Sequence, residues 1–304
     1  MTSKVLVQYL LALALAPLLP GIVNRVKAWF AGRAGAPLLQ LYFDLYKLSR
    51  KTPVYSRTTT WVFRAGPAAG LACMLCALLV LPFGGRQAWF SFSGDFVFVI
   101  YLLALARFAL VLAALDTGSS FEGMGASREV QFSVFAEPAL FLALAALVLR
   151  TGQLSLFGMF ASLTPGAWMA AAPILLLLTA SLFLVFLAEN SRVPVDDPNT
   201  HLELTMIHEV MALDHSGPDL ALLLYAAALK LWILGSIIAC VVLPRHSGSW
   251  IVDSGGFLLA MAALAALTGV VESLMARLRM LAVPYFLLTA FVFSVLALTF
   301  QVVR

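Results

Sequence analysis

Long apolar runs alternate with shorter polar breaks along the whole chain. Eight runs stand out, at roughly 4–22, 61–82, 95–115, 130–149, 167–188, 220–243, 256–272 and 281–302. A helix needs about 20 apolar residues to cross the hydrocarbon of a bilayer. Each run is near that length, the seventh being the shortest. The pattern predicts an all-α integral membrane protein, one transmembrane domain over 1–304 with about eight membrane-spanning helices. The polar breaks carry patterns of their own. In the first, 23–60, Leu38, Leu41, Tyr42, Leu45 and Leu48 recur at three- and four-residue spacing. That spacing predicts an amphipathic helix lying along the interface after the first span. In a later break, 189–219, Pro194 and Pro198 keep the stretch SRVPVDDP extended, because a proline biases its predecessor away from helix. Thr200 and Glu203 then read as a capping box. They predict a helix through about Leu213, with Leu204, Ile207 and Met211 on its apolar side and His201, Glu203, His208 and Glu209 polar.

Composition agrees with lipid as the solvent. Of the 304 residues, 62% are hydrophobic and 11% charged, against about 25% charged in a soluble domain. The net charge is +4, and the basic excess sits largely in Arg25, Lys27, Arg33, Lys47, Arg50, Lys51, Arg57 and Arg64. The positive-inside rule places that loop in the cytoplasm. Alternation then brings the breaks near 116–130, 189–219 and 272–280 to the same side and turns both termini outward, in a multi-pass protein of the cell inner membrane. No basic stripe is interleaved with aromatics, so nucleic acid is not an expected partner. Ala14-Leu15-Ala16 resembles a signal-peptide cleavage site, but Pro17 makes a poor junction, and export would put the basic loop on the wrong side; the first run is expected to stay as a helix. Cys73 and Cys76 form C-x-x-C inside an apolar run, and the chain has three cysteines in all. An iron–sulfur cluster usually takes four thiolates, so no cluster and no metal site of its own is expected.

Charge placement sharpens the picture. Of the fifteen acidic residues, only Asp95 and Asp253 fall on the predicted outer side. Acidic residues contribute little to topology, so insertion does not demand this bias, and the inner face is expected to serve docking or proton traffic. Four charges lie at membrane depth: Arg107 and Lys230 near the middle of their spans, Glu137 just before Pro138, and Glu189 at the end of the fifth span. A central charge costs roughly 2.5–3.5 kcal/mol on insertion scales. Either these groups form bundle-facing structural ion pairs, or they line a hydrated path where carboxylates exchange protons and cations tune them. His201, His208 and His215 recur every seven residues. Two helical zinc ligands are typically four apart, so a polar network or a proton relay is the expected histidine role.

Three stretches resemble a known family, the subunit 1 family of respiratory complex I, in its membrane-bound hydrogenase branch (the formate hydrogenlyase and hydrogenase-4 type). The first is RAGAPLLQLYFDLYKL, with Arg33, Gly35, Gln40, Asp44, Lys47 and Leu48 on the family pattern and Gly35-Ala36-Pro37 in place of Gly-Pro-Gly. The second runs from Arg107 through Asp116-Thr117-Gly118-Ser119 and Gly125-Ala126-Ser127-Arg128-Glu129 to Glu137-Pro138. The third carries Glu189, Pro194, Asp196, Glu203 and Leu204, then Asp214-His215-Ser216-Gly217 where Glu-Tyr-Ser-Gly is usual, with Lys230 beyond.

The resemblance implies a subunit that holds a peripheral hydrogenase arm to a membrane arm. Its expected partners are the hydrogenase small and large subunits, bearing iron–sulfur clusters and a nickel–iron centre, and antiporter-like membrane subunits. This chain would bind no cofactor, with a quinone left open. It implies a coupling set of Glu137, Glu189, Asp196, Glu203, Glu209, Asp214, Arg107, Arg128, Arg192 and Lys230, and a partner-facing set of Arg33, Gln40, Asp44, Lys47, Asp116, Ser119 and Glu129. Two other readings stand beside the coupling subunit: a quinone-site subunit of a complex I-like dehydrogenase, and a passive anchor whose charges are interface salt bridges. A self-contained transporter is disfavoured, because no 20–50-residue repeat and no pair of matching interrupted helices is visible.

Overall fold

The computed structural model describes residues 2–82, 84–196, 206–243 and 249–303. Twelve α-helices follow one another in this region: α1 (Thr2–Leu15), α2 (Leu18–Phe30), α3 (Gln40–Ser49), α4 (Trp61–Val80), α5 (Asp95–Asp116), α6 (Ser120–Thr151), α7 (Leu156–Ser162), α8 (Pro165–Ala170), α9 (Ala172–Glu189), α10 (Gly217–Val242), α11 (Trp250–Leu274) and α12 (Val283–Val303). Seven helices are long and apolar enough to cross a membrane, and the pair α1–α2, bent by 42°, supplies an eighth span. The protein is therefore an all-α membrane protein with the expected number of spans.

Proline accounts for the first bend. Pro17 lies between α1 and α2 and has no N–H to return to the carbonyl four residues back. That carbonyl, on Leu13, accepts instead from Tyr225 Oη at 3.0 Å, and the next one, on Ala14, accepts from Tyr42 Oη. In lipid a freed backbone carbonyl must find a partner within the protein, so the break ties the first span to α10 and to α3. The helix then continues through Phe30, which brings Arg25 and Lys27 into α2, although the sequence pattern starts the first loop at 23. The predicted amphipathic segment forms α3, which packs on α10 and α2 with its Phe43 and Tyr46 exposed.

The bundle is held by apolar packing and by a few buried hydroxyls. Ser181 Oγ of α9 lies 2.6 Å from Ser294 Oγ of α12 and 2.7 Å from the Ala290 carbonyl, while Ser294 Oγ donates to the Ala139 carbonyl of α6 at 2.8 Å. Three helices meet at this point, where hydroxyls substitute for the hydrophobic driving force that lipid does not supply. At the other side of the bundle α11 packs on α2. A Cβ at Gly269 would come within 2.8 Å of Val26 Cβ and 2.9 Å of the Val23 carbonyl. Only glycine permits that approach.

Several boundaries differ from the expectations. The sixth helix begins at Ser120, well before the apolar run at 130, so the polar stretch from Phe121 to Glu129 is helical and not loop. The run from 167 is two helices, α8 ending at Ala170 and α9 starting at Ala172. The short seventh run is part of a 25-residue helix that starts earlier, at Trp250, because Trp250, Ile251 and Val252 extend it past the polar pair Asp253-Ser254. The helix expected from Thr200 to Leu213 is not formed where the chain is described: residues 206–208 are non-helical, and Glu209–Ala212 makes a single 3-10 turn. Thr200, His201 and Glu203 lie outside the described residues. Gly125 explains how this segment is seated. A Cβ there would clash with Val210 Cγ1 and come within 3.0 Å of the Ile207 carbonyl, so only glycine lets the segment rest directly on α6.

Replacing Gly269 with leucine should force α11 from α2 at a cost of about 1–3 kcal/mol. A lowered Tm of the detergent-solubilised protein is the expected outcome, while the same change at Gly256, where an added Cβ meets nothing within 4 Å, should leave Tm nearly unchanged.

Candidate functional site

One cationic side chain organises the buried charge. Arg107, on α5, is 8% exposed. Its Nε donates to Glu129 Oε1 at 3.0 Å, and its two terminal nitrogens donate to Glu137 Oε1 and Glu189 Oε1. Glu129 and Glu137 lie two turns apart on α6, and Glu189 closes α9. Lys230 of α10 lies 2.7 Å from Glu189 Oε2. Three helices thus meet at one guanidinium, and α10 joins them through Glu189. A forked donor suits this task better than an ammonium, since it offers five N–H groups in fixed directions.

The segment after α9, expected to be extended, folds into turns over 191–196, with the Val195 and Asp196 N–H groups both donating to the Arg192 carbonyl at 2.9 and 3.2 Å, and it brings further charges beside this network. Asp196 Oδ2 accepts the main-chain N–H groups of Ile207 and His208 at 3.1 and 3.3 Å, and its Oδ1 receives Arg277 at 2.8 Å. His208 Nδ1 in turn lies 3.1 Å from Glu129 Oε2. A cavity of about 20 Å³ separates these groups, lined among others by Glu129, Glu189, Ser191, Asp196 and His208. Phe132, Ala136, Val195 and Leu287 also line it, and the volume is room enough for about one water molecule.

A second ion cluster, which the sequence did not suggest, lies between α2, α11 and the segment after α9. Glu272 pairs with Lys27 at 2.8 Å and with Arg192 at 3.5 Å. Glu272 is buried, and it interrupts an apolar run near its end, which was the available signal. Lys27 reads from the sequence as one more charge of the basic loop.

The remaining predicted residues are distributed as follows. Glu129, expected at a partner surface, is buried inside the Arg107 network. Asp116 caps α4, receiving Thr60 N at 2.6 Å, Thr60 Oγ1 at 2.8 Å and Phe63 N at 3.2 Å. Arg128 donates to the Met206 carbonyl at 2.9 Å. Ser119 stands at the start of α6, its N–H bonded to Thr117 Oγ1 at 3.1 Å. Gln40 donates to Asp44 at 2.9 Å on α3, while Arg33 and Lys47 are exposed. Glu209 is half-buried. Asp214 is exposed, and its main-chain N–H donates to Glu122 at 3.0 Å. Among the described residues no group of three His, Cys, Asp or Glu side chains could hold a metal ion.

His215 is buried and stacks on Phe63 at 4.0 Å between ring centroids with 4° between planes, and neither ring nitrogen has a hydrogen-bond partner. Burial pushes its pKa down; Asp219 and Asp214 oppose that push without overcoming it. The ring is held neutral.

The whole chain matches one family. The profile described as NADH dehydrogenase covers residues 3–303. The chain belongs to this family, that of complex I subunit 1. It is 31% identical over 299 residues to formate hydrogenlyase subunit 4 of Escherichia coli K12, spanning 96% of both chains. It is 34% identical over 239 residues to hydrogenase-4 component C of the same organism, covering 79% of this chain and 74% of the relative. A component of the NADH-quinone oxidoreductase of Rubrobacter xylanophilus is 25% identical over 214 residues, with 70% of this chain and 62% of the relative covered. In fold, the chain superposes on a component of the membrane-bound sulfane sulfur reductase, an archaeal respiratory membrane complex, with a TM-score of 0.83, 18% identity and 99% of each chain covered.

Two measurements check this site. Removing the guanidinium by Arg107→Ala strands buried carboxylates and should cost about 3–5 kcal/mol, read as a large drop in Tm; Asp44→Asn on α3 should change Tm little. For His215 the unfolded chain binds a proton near pH 6.5 while the folded ring resists it. Stability is therefore full above that value and falls as pH drops through it. Tm should decline on acidification from about pH 7 to 5, and His215→Phe, which keeps the stack, should reduce that decline.

Proposed function

We propose that this chain is the membrane-anchor and coupling subunit of a multi-subunit membrane-bound nickel–iron hydrogenase or a related complex. In that role it links electron transfer in a peripheral arm to the movement of protons, or of sodium, in a membrane arm. The observation that supports this reading is the connected set of ionised groups around Arg107, which joins four helices at membrane depth. Two relatives above 30% identity are named as components of hydrogenase-4 and formate hydrogenlyase. The redox centres belong to partners in this reading: iron–sulfur clusters in a small subunit and nickel–iron in a large one. Exposed residues of the charged end, Arg33, Lys47 and Asp214 among them, would face those partners on the cytoplasmic side, with both termini outward.

The physics of coupling needs only shared partners. Glu189 is held by both Arg107 and Lys230. Neutralising one carboxylate frees part of a cation's attraction for the next, so a charge change at one end alters the proton affinity of its neighbours. Ion pairs of a passive anchor would share the geometry but not the consequence.

Lys230→Ala separates the two. The expected result is an assembled complex whose proton translocation per electron in liposomes falls at least roughly tenfold, a transition of about 1.4 kcal/mol or more in the governing step. Loss of assembly with normal coupling in whatever complex remains would support the passive anchor instead.

A further inference from the structure

Among the described residues the Arg107 network pairs more carboxylates than permanent cations. It holds three carboxylates, Glu129, Glu137 and Glu189, and two permanent cations, Arg107 and Lys230. At membrane depth an uncompensated charge is costly. A group placed to supply a further positive charge is His208, whose Nδ1 faces Glu129 Oε2 at 3.1 Å. Its side chain is 25% exposed, while that of Glu129 is 8% exposed. His208 is thus more exposed than the glutamate it faces, though less than Glu137 at 39%, and it also lines the small cavity shared by Glu129, Glu189 and Asp196. Its position is not accidental to a mobile side chain: the main-chain N–H of His208 is bound to Asp196, which Arg277 holds in turn.

We propose that His208 is the proton-loading residue of this subunit, passing protons between the charged end and the Glu129–Arg107–Glu189 network. This deepens the coupling reading and rests on it. Histidine ordinarily changes charge near neutral pH. The balanced step is a transfer along one hydrogen bond. Nε2 takes a proton from water, which leaves the ring an imidazolium. Nδ1 then releases its proton to Glu129 Oε2, and the ring is neutral again with its proton on Nε2. Glu129 becomes a neutral acid, its hold on Arg107 Nε weakens, and the guanidinium is left to Glu137 and Glu189. No electron moves in this step.

The groups that face His208 set its behaviour from every side. Glu129 on α6, Glu189 on α9 and Asp196 after it line the same cavity as His208, with Arg277 paired to Asp196. Arg107 and Lys230 stand behind the two glutamates. Arg128 of α6, bonded to the Met206 carbonyl, and Glu209, next in sequence, flank the histidine.

The test uses the assembled complex in liposomes, with electron turnover and proton translocation measured together. His208→Gln preserves a hydrogen-bond donor to Glu129 and cannot carry a proton. It is expected to lower proton translocation per electron by roughly a hundredfold and to flatten its pH dependence. His208→Ala should behave alike and regain translocation when imidazole is added to the medium. Normal translocation in His208→Gln while Lys230→Ala is uncoupled would overturn the proton-loading role and leave the coupling reading standing. Normal translocation in both variants would overturn both. Uncoupling in His208→Ala that imidazole does not relieve would assign His208 to holding Glu129 in place, and would likewise overturn the loading role.

Discussion

Everything in this molecule turns on the fact that a charge inside a bilayer must be answered inside the protein. Lipid offers no hydrogen bonds and little dielectric relief. Arg107 is placed where that constraint is strict, and it is answered by three glutamates from two other helices. Each glutamate is then fixed by its need for a partner: Glu189 also by Lys230, Glu129 also by His208. The bundle around them is consequently not free to choose its helix neighbours. Among the described residues, it is the meeting of α5, α6, α9 and α10 that pairs Arg107 and Lys230 with these carboxylates.

The same constraint explains the smaller devices. Pro17 frees a carbonyl, and a tyrosine from α10 answers it. Buried serines on α9 and α12 answer each other and two backbone carbonyls. Glu272 is answered by Lys27 and Arg192, which ties the segment after α9 to the first span. Apolar packing supplies contact area at all of these places, but in lipid it gives little preference for one neighbour over another. The polar pairs are what select the neighbours.

In the proposed coupling role, a network built this way would transmit charge. Its members share partners, and shared partners couple their protonation. A set of isolated ion pairs of equal number would stabilise the fold as well and transmit nothing. The relatives include components named for hydrogenase-4 and formate hydrogenlyase and a component of an NADH-quinone oxidoreductase.

The membrane fold was legible because a transmembrane helix declares itself locally: about 20 apolar residues suffice, whatever lies elsewhere in the chain. Arg107, Glu137, Glu189 and Lys230 were legible for the same reason, as charges interrupting apolar runs. Glu129 was not, since it precedes the apolar run on α6, and only the early helix start at Ser120 turns it inward. Lys27 and Glu272 looked like ordinary loop and helix-end charges until α2 and α11 met. The segment 206–213 has helical spacing, yet Gly125 and Asp196 hold it against α6 in another form. Hydrophobicity is a property of each segment and can be read from it; ion pairing is a property of two segments, and only their packing decides which charges meet.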